Sequence, residues 1–265
     1  MIASRLLACL ALAGLAVPPA VTTTGLQTKN VRYDLAGKTF EGVIVHHGDA
    51  DAKRPGVLMV PNWLGPSAAS LDMARRVAEN GYVVMMVDMY GVDVRPTNAS
   101  EAGAAAGAVR GDRAVMRARA QKALDVFRTE GKPLGLDPGK VAAIGFCFGG
   151  GTVLELGRTG AALDAIVSFH GDLMSPTLAM DAGKTTARVL VCHGADDPYV
   201  SQQDVQQFVD TMRKTKVDWQ FVEYSGTVHS FTEPTADSDG ARYNERSAKR
   251  AFAAMRALFE DVWQH

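Results

Sequence analysis

The chain has 265 residues, with 28 Lys+Arg against 29 Asp+Glu and a formal net charge of −1. That length suits one α/β domain with a large core, and the even charge leaves no basic half to grip nucleic acid or a membrane surface. No internal stretch approaches the roughly 18–20 apolar residues of a membrane span.

The first element is MIASRLLACLALAGLAVPPA, where one positive charge, Arg5, precedes the apolar run LLACLALAGLAV. A short basic start and an apolar run of this length match a signal peptide. Gly14-Leu15-Ala16 and Ala20 offer small residues at a cleavage site. Residues 1 to about 20 are therefore set aside, and export is expected, with no membrane contact after cleavage. The alternative is an uncleaved anchor helix, for which the run is short. Residues 21–265 are expected to form a single domain. Only Cys147 and Cys192 remain in it, one in a glycine turn and one in an apolar run, and two free thiols are expected. There is no CxxC pair to suggest structural zinc, and neither metal nor cofactor is expected.

VRYDL and TFEGVIVHH, separated by AGK, predict a hairpin. GVLMV at 56–60 predicts a buried strand, residues 68–80 a helix closed by Gly81, and YVVMMVD at 82–88 a second buried strand. Residues 91–111 break the rhythm with Pro96 and the patch EAGAAAGA, and predict an excursion over one sheet edge, either a pocket wall or a surface crossover. A long helix is expected over 112–130. Then come the strand VAAIG, a glycine turn, a helix, the strands DAIVSF and RVLVCHG, and the helix SQQDVQQFVDTMRK. The strand DWQFVEY and a closing helix over 241–263 complete the pattern. Continuous apolar strands alternating with helices imply a mostly parallel sheet covered on both faces. Ligands of such sheets bind at the carboxyl ends of the strands.

The glycine turn is Ile144-Gly145-Phe146-Cys147-Phe148-Gly149-Gly150-Gly151-Thr152. A strand that turns directly into a helix needs small residues two places either side of its centre. That is the nucleophile elbow G-x-S-x-G with cysteine at the centre, and its helix start favours negative charge on the sulfur. The backbone N–H of Phe148 is a candidate oxyanion donor. A phosphate-binding loop would need Gly-Lys-Ser/Thr, and a dinucleotide fingerprint G-x-G-x-x-G; neither fits. A structural turn with a buried cysteine is the plain alternative.

A nucleophile needs a base and a group to orient it. Asp197, after the strand RVLVCHG, is the candidate acid, with Asp196 as runner-up. His229, in SGTVHSF after the last predicted strand, is the candidate base. The chain order nucleophile, acid, histidine is that of α/β-hydrolases. Glutamine amidotransferases also carry a cysteine elbow, but their histidine and acid sit together as H-x-E, and residue 231 here is Phe.

These residues resemble the dienelactone hydrolase family. GFCFGG is similar to its cysteine elbow, HGADDPYV to its acid loop, HSF to its histidine loop, and VDMYG, which contains Tyr90, to its PDLYG-type segment. The resemblance covers roughly residues 35–263. It implies one α/β-hydrolase domain and no cofactor. It also implies hydrolysis of a small ester or lactone through a thioester, with Cys147 as nucleophile, His229 as base and Asp197 as its partner. Trp63 would give the second oxyanion N–H. Asn62, Tyr90 and His170 are candidates to line the substrate pocket, His170 with a plain strand-end role as its alternative.

Two departures from the family pattern follow. Asn62 stands where the family carries a glutamate that holds the resting cysteine as a thiol. An amide cannot take that proton, so a resting Cys147–His229 ion pair is expected, alkylated well below about pH 8.5, the reference thiol value. Glu233 stands where the family carries an arginine for the substrate carboxylate, and a negative group there repels an anion. Arg95, Arg110 and Arg113 are unranked candidates for the family's other arginine. Two readings compete with the enzyme: a non-catalytic binding module on a hydrolase scaffold, and a thiol redox protein.

Overall fold

A computed structural model describes residues 25–264. The expected signal peptide lies outside the described residues. The predicted hairpin is β1 (Gln27–Leu35) and β2 (Lys38–His46), paired antiparallel. Its two-residue turn, Ala36-Gly37, has φ of 50° and 74°. Positive φ at both positions matches the twist of the flanking strands.

The alternating part follows: β3 (Arg54–Val60), α1 (Ala68–Ala78), β4 (Val83–Met86), α2 (Ala99–Gly111), α3 (Arg113–Gly131) and β5 (Leu136–Phe146). Next are α4 (Phe148–Gly157), β6 (Ala165–Phe169), the short α5 (Leu178–Asp181) and β7 (Arg188–Gly194). The last elements are α6 (Gln202–Met212), β8 (Trp219–Tyr224) and α7 (Glu245–Trp263). The eight strands form one sheet in the order β1-β2-β4-β3-β5-β6-β7-β8. β2 meets β4 antiparallel, and every neighbouring pair from β4 to β8 is parallel.

Side chains alternate across the sheet, as a period of two requires. Val141 and Ala143 of β5 share one core with Ala120, Leu124 and Phe127 of α3. Ala142 and Ile144 share the other with Met73 and Val77 of α1 and with Ala251, Met255 and Phe259 of α7. The sheet is therefore covered on both faces, which is why its strands are apolar throughout.

The segment 91–111 differs from the expected excursion. Its second half is α2, an alanine-rich helix capped by Asn98, whose side chain accepts the Glu101 N–H at 3.0 Å. Alanine is the best helix former, so low complexity here is regular structure. Asp112 ends α2 and caps α3, accepting the Val115 N–H at 3.0 Å.

Helix α4, which carries the elbow, is pinned by buried charge. Glu155 takes Arg158 at 2.7 Å on one oxygen and Arg117 of α3 at 2.7 Å on the other. Arg117 also reaches Asp181 at 2.8 Å. Glu155 and Arg158 are both buried. Removing Glu155 strands the Arg158 guanidinium without a counter-charge, so Glu155→Ala is expected to cost roughly 3–5 kcal/mol in urea unfolding. A change within the roughly 0–1 kcal/mol typical of a surface pair would contradict this.

Candidate active site

β5 ends at Phe146 and α4 begins at Phe148, so Cys147 alone makes the turn. Its φ is 53° and its ψ −117°. A positive φ on a residue with a side chain is strained and needs support from its surroundings. Here the Cys147 N–H donates to the Phe169 carbonyl at 3.0 Å and to His170 Nδ1 at 3.1 Å. A Cβ on Gly145 would overlap the Gly149 carbonyl, and one on Gly149 would overlap the carbonyls of Val60 and Pro61. The elbow thus sits hard against the end of β3, and the loop that follows β3 lies beside the start of α4. Cys147 is half-buried; Cys192 is buried, and both thiols are free.

A second close approach assembles the other half. A Cβ on Gly194 would overlap the carbonyls of Thr227 and Val228, so the loop after β7 runs against the loop after β8. His229 Nδ1 lies 2.7 Å from Asp197 Oδ2. Asp197 Oδ1 accepts the Tyr199 N–H at 2.9 Å, which fixes the carboxylate. Asp196 is exposed. The Asp197 contact leaves His229 Nε2 for Cys147. Burial alone would lower the proton affinity of His229. The hydrogen bond to Asp197, the hydrogen bond to Cys147 and the charges of both outweigh it and raise His229 from 6.5 to about 10.

The N–H groups of Trp63 and Phe148 have no protein acceptor among the described residues. The Trp63 ring is exposed, and its carbonyl accepts the Tyr90 hydroxyl at 2.8 Å. Tyr90 itself is buried, its ring 5.6 Å from Phe148. It therefore holds the β3 loop in place, and burial followed by the Cys147 charge pushes its hydroxyl well above the ordinary value. Asn62 faces a cavity of about 170 Å³ that is also lined by Glu233, but Cys147 and His229 are outside it. The cavity of about 490 Å³ between α1 and α7 likewise includes neither.

His170 is not a pocket wall. It is fully buried behind the elbow, with φ of 40°. Its Nδ1 accepts the Cys147 N–H, so Nε2 carries the proton and donates to Thr232 Oγ1 at 2.8 Å. Burial, then the nearby His229 charge, holds His170 well below the ordinary value, and it stays neutral. The arginine candidates are paired: Arg95 with Asp88 at 2.8 Å, Arg113 with Asp172 at 3.3 Å and Arg110 with Asp172 at 3.7 Å.

Sequence reasoning missed the support role of Thr232 and the partner of Glu233. Asn62 Nδ2 donates to Glu233 Oε2 at 2.6 Å. Burial pushes the Glu233 carboxyl up, against the pull of Asn62 and of the His229 charge. Both residues were singled out as departures from one pattern, and that coincidence is the signal that links them.

The family model described as "Dienelactone hydrolase family" matches residues 40–263. A "Putative carboxymethylenebutenolidase" of Synechocystis is 24% identical over 253 residues, 91% of this chain and 97% of its own length. Among solved structures, the dienelactone hydrolase-like promiscuous phosphotriesterase P91 from metagenomic libraries is 39% identical. It has a TM-score of 0.84, with 90% of this chain and 99% of that one covered. MGS-M1, an α/β hydrolase from a Medee basin deep-sea metagenome library, shares the fold at 18% identity and a TM-score of 0.65, with 91% of this chain and 99% of that one covered.

His229 binds its proton more tightly in the folded chain than in the unfolded one. The resulting stabilisation is complete below 6.5 and is lost as pH rises through about 10. The stability advantage of the parent over His229→Gln, measured by urea unfolding, is therefore expected to shrink across that window. An advantage that grows with pH would overturn the assignment.

Proposed function

The chain belongs to the dienelactone hydrolase family, and on that premise we propose that it hydrolyses small esters or lactones by Cys147, His229 and Asp197 acting in turn. The observation that carries this reading is the 2.7 Å contact between His229 and Asp197, supported by the influence of Cys147 in raising the proton affinity of the same ring.

The Cys147 thiolate attacks the carbonyl carbon, and the C=O electron pair moves onto oxygen. The N–H groups of Trp63 and Phe148 receive that oxyanion, where charge develops in the transition state. On collapse, the C–O bond to the alcohol breaks and the His229 imidazolium gives the leaving oxygen its proton. A thioester remains on Cys147, and His229 is now neutral. It takes a proton from water, whose oxygen attacks the thioester. The sulfur leaves as thiolate, the carboxylic acid departs, and the resting ion pair returns. Asp197 holds the ring with Nδ1–H toward itself throughout and stabilises the imidazolium.

The assay is hydrolysis of p-nitrophenyl acetate. Cys147→Ala is expected to abolish the enzymatic rate, and Asp197→Asn to lower kcat by roughly 10²–10⁴-fold, the range for a lost orienting acid. Iodoacetamide is expected to alkylate Cys147 readily at pH 7 in the parent and slowly in His229→Ala. Negligible hydrolysis by the parent would favour the binding module. Peroxide consumption without an esterase burst would favour the redox protein.

The run LLACLALAGLAV after Arg5 supports export, with cleavage near residue 20. Expression of the full chain in a bacterium, with mass measurement of the periplasmic fraction, checks this. The expected product lacks the first 16 to 20 residues, and an intact chain confined to the cytoplasm contradicts it.

A further inference from the structure

Asn62 opens the loop after β3, and its neighbour is Trp63. Its side-chain oxygen accepts the Leu64 N–H at 3.0 Å and its carbonyl accepts the Gly65 N–H at 2.9 Å. Residues 62–65 are thereby a closed turn. Glu233 ends a second turn, which starts at Ser230 directly after His229. Its N–H donates to the Ser230 carbonyl at 3.0 Å and its carbonyl accepts the Ala236 N–H at 3.0 Å. Ser230 has a φ of 52°, so this turn also holds strained backbone.

The 2.6 Å bond from Asn62 Nδ2 to Glu233 Oε2 joins these two turns across 171 residues of sequence. Among the described residues it is the only hydrogen bond between the 61–66 loop and the 229–236 loop. An amide donor to a carboxylate is a short, directional, charge-assisted bond. Glu233 Oε1 is buried with no protein partner. A carboxylate placed only to stabilise the fold would be expected to pair both oxygens. Here the whole of its hydrogen bonding is directed at the loop that carries Trp63.

We propose that this bond is a clasp and Glu233 a positioning residue, setting the Trp63 N–H against His229 so that oxyanion donor and proton carrier meet at one carbonyl. The inference rests on the triad reading above. Tyr90, through its bond to the Trp63 carbonyl, fixes the same loop from the β4 side. Without the clasp the loop keeps Tyr90 and the Ser70 hydroxyl, which donates to the Gly65 carbonyl at 3.1 Å, but no hydrogen bond joins it to the histidine loop. The N–H can then drift from the oxyanion while the Cys147–His229 pair stays intact.

The test compares two readouts in the same variants: kcat for p-nitrophenyl acetate, and the rate of Cys147 alkylation by iodoacetamide, which needs the thiolate but no oxyanion donor. Glu233→Ala and Asn62→Ala are each expected to lower kcat by about 10–100-fold, the range for a displaced donor. Both should alkylate near the parent rate. The double variant is expected to lose no more than the worse single one, since both remove one bond. Glu233→Gln keeps an acceptor oxygen for Asn62 and is expected to recover most of kcat. Should Glu233→Ala prove insoluble, Asn62→Ala and Glu233→Gln carry the same comparison. Losses that multiply in the double variant, or a Gln variant as slow as the Ala one, overturn the clasp. A parent whose hydrolysis survives Cys147→Ala sinks both readings. A Cys147-dependent parent with Glu233→Ala at full speed sinks the clasp alone.

Discussion

The turn at Cys147 leaves no room for side chains at Gly145 or Gly149, and the geometry of the site follows from that exclusion. With no Cβ at either place, the backbone of α4 comes down onto the carbonyls at the end of β3. This contact fixes where the Phe148 N–H points and puts the β3 loop next to it. It also forces Cys147 to a φ of 53°, which lifts the sulfur clear of the sheet. The cost is met nearby, by two acceptors on the Cys147 N–H and by the buried charges that hold α4 to α3. Stability and reactivity are therefore coupled through one helix.

Two histidines lie 5.0 Å apart, ring to ring, and their surroundings drive them to opposite states. His229 has the Asp197 carboxylate on Nδ1, and its interactions with Asp197 and Cys147 favour the charged ring over the effect of burial. His170 is enclosed, takes a backbone N–H on Nδ1 and gives its proton to Thr232. A second imidazolium there would repel the first and would lose the acceptor that steadies Cys147. The neutral ring is thus a structural requirement of the charged one. The two rings thus differ in place as in charge: His229 sits against Asp197, and His170 holds the backbone of the turn.

How far the sequence could be read depended on the range of the signal. Strands and helices were legible because apolar periodicity is local: GVLMV and VAAIG lie in buried strands, and so does the VVMM centre of YVVMMVD. The elbow was legible because its two glycines and its cysteine fall in one five-residue pattern. Asp197 and His229 were legible only as positions after strands, and their contact required the approach of Gly194 to the Thr227 carbonyl, which no spacing encodes. The excursion was misjudged because alanine and glycine look like low complexity until a cap such as Asn98 is weighed. His170 stood between a pocket wall and a plain strand end because a strand-end histidine carries no mark of which way its ring turns. Its positive φ turns it inward.

The joining of Asn62 and Glu233 also bears on substrate charge. The resemblance to the family implies an arginine where Glu233 stands, and three further arginines were candidates for the family's other arginine. Arg95 lies against the fully buried Asp88, and Arg113 and Arg110 both face Asp172. Each arginine therefore has a carboxylate partner already, and an anionic substrate would have to compete with it. The group that does stand beside His229 is a carboxyl, not a cation. Burial favours its neutral form, while the Asn62 bond and the His229 charge favour the ionised one. In the ionised form it adds a negative charge to a site that must already build one on the oxyanion. In the neutral form it offers an anion no compensating positive charge. On the proposed mechanism, either form favours uncharged esters and lactones over carboxylate-bearing ones, since their binding asks nothing of a cation. On the proposed mechanism the carboxyl at 233 thus offers no attraction to a substrate anion, and it supplies the acceptor for the Asn62 amide.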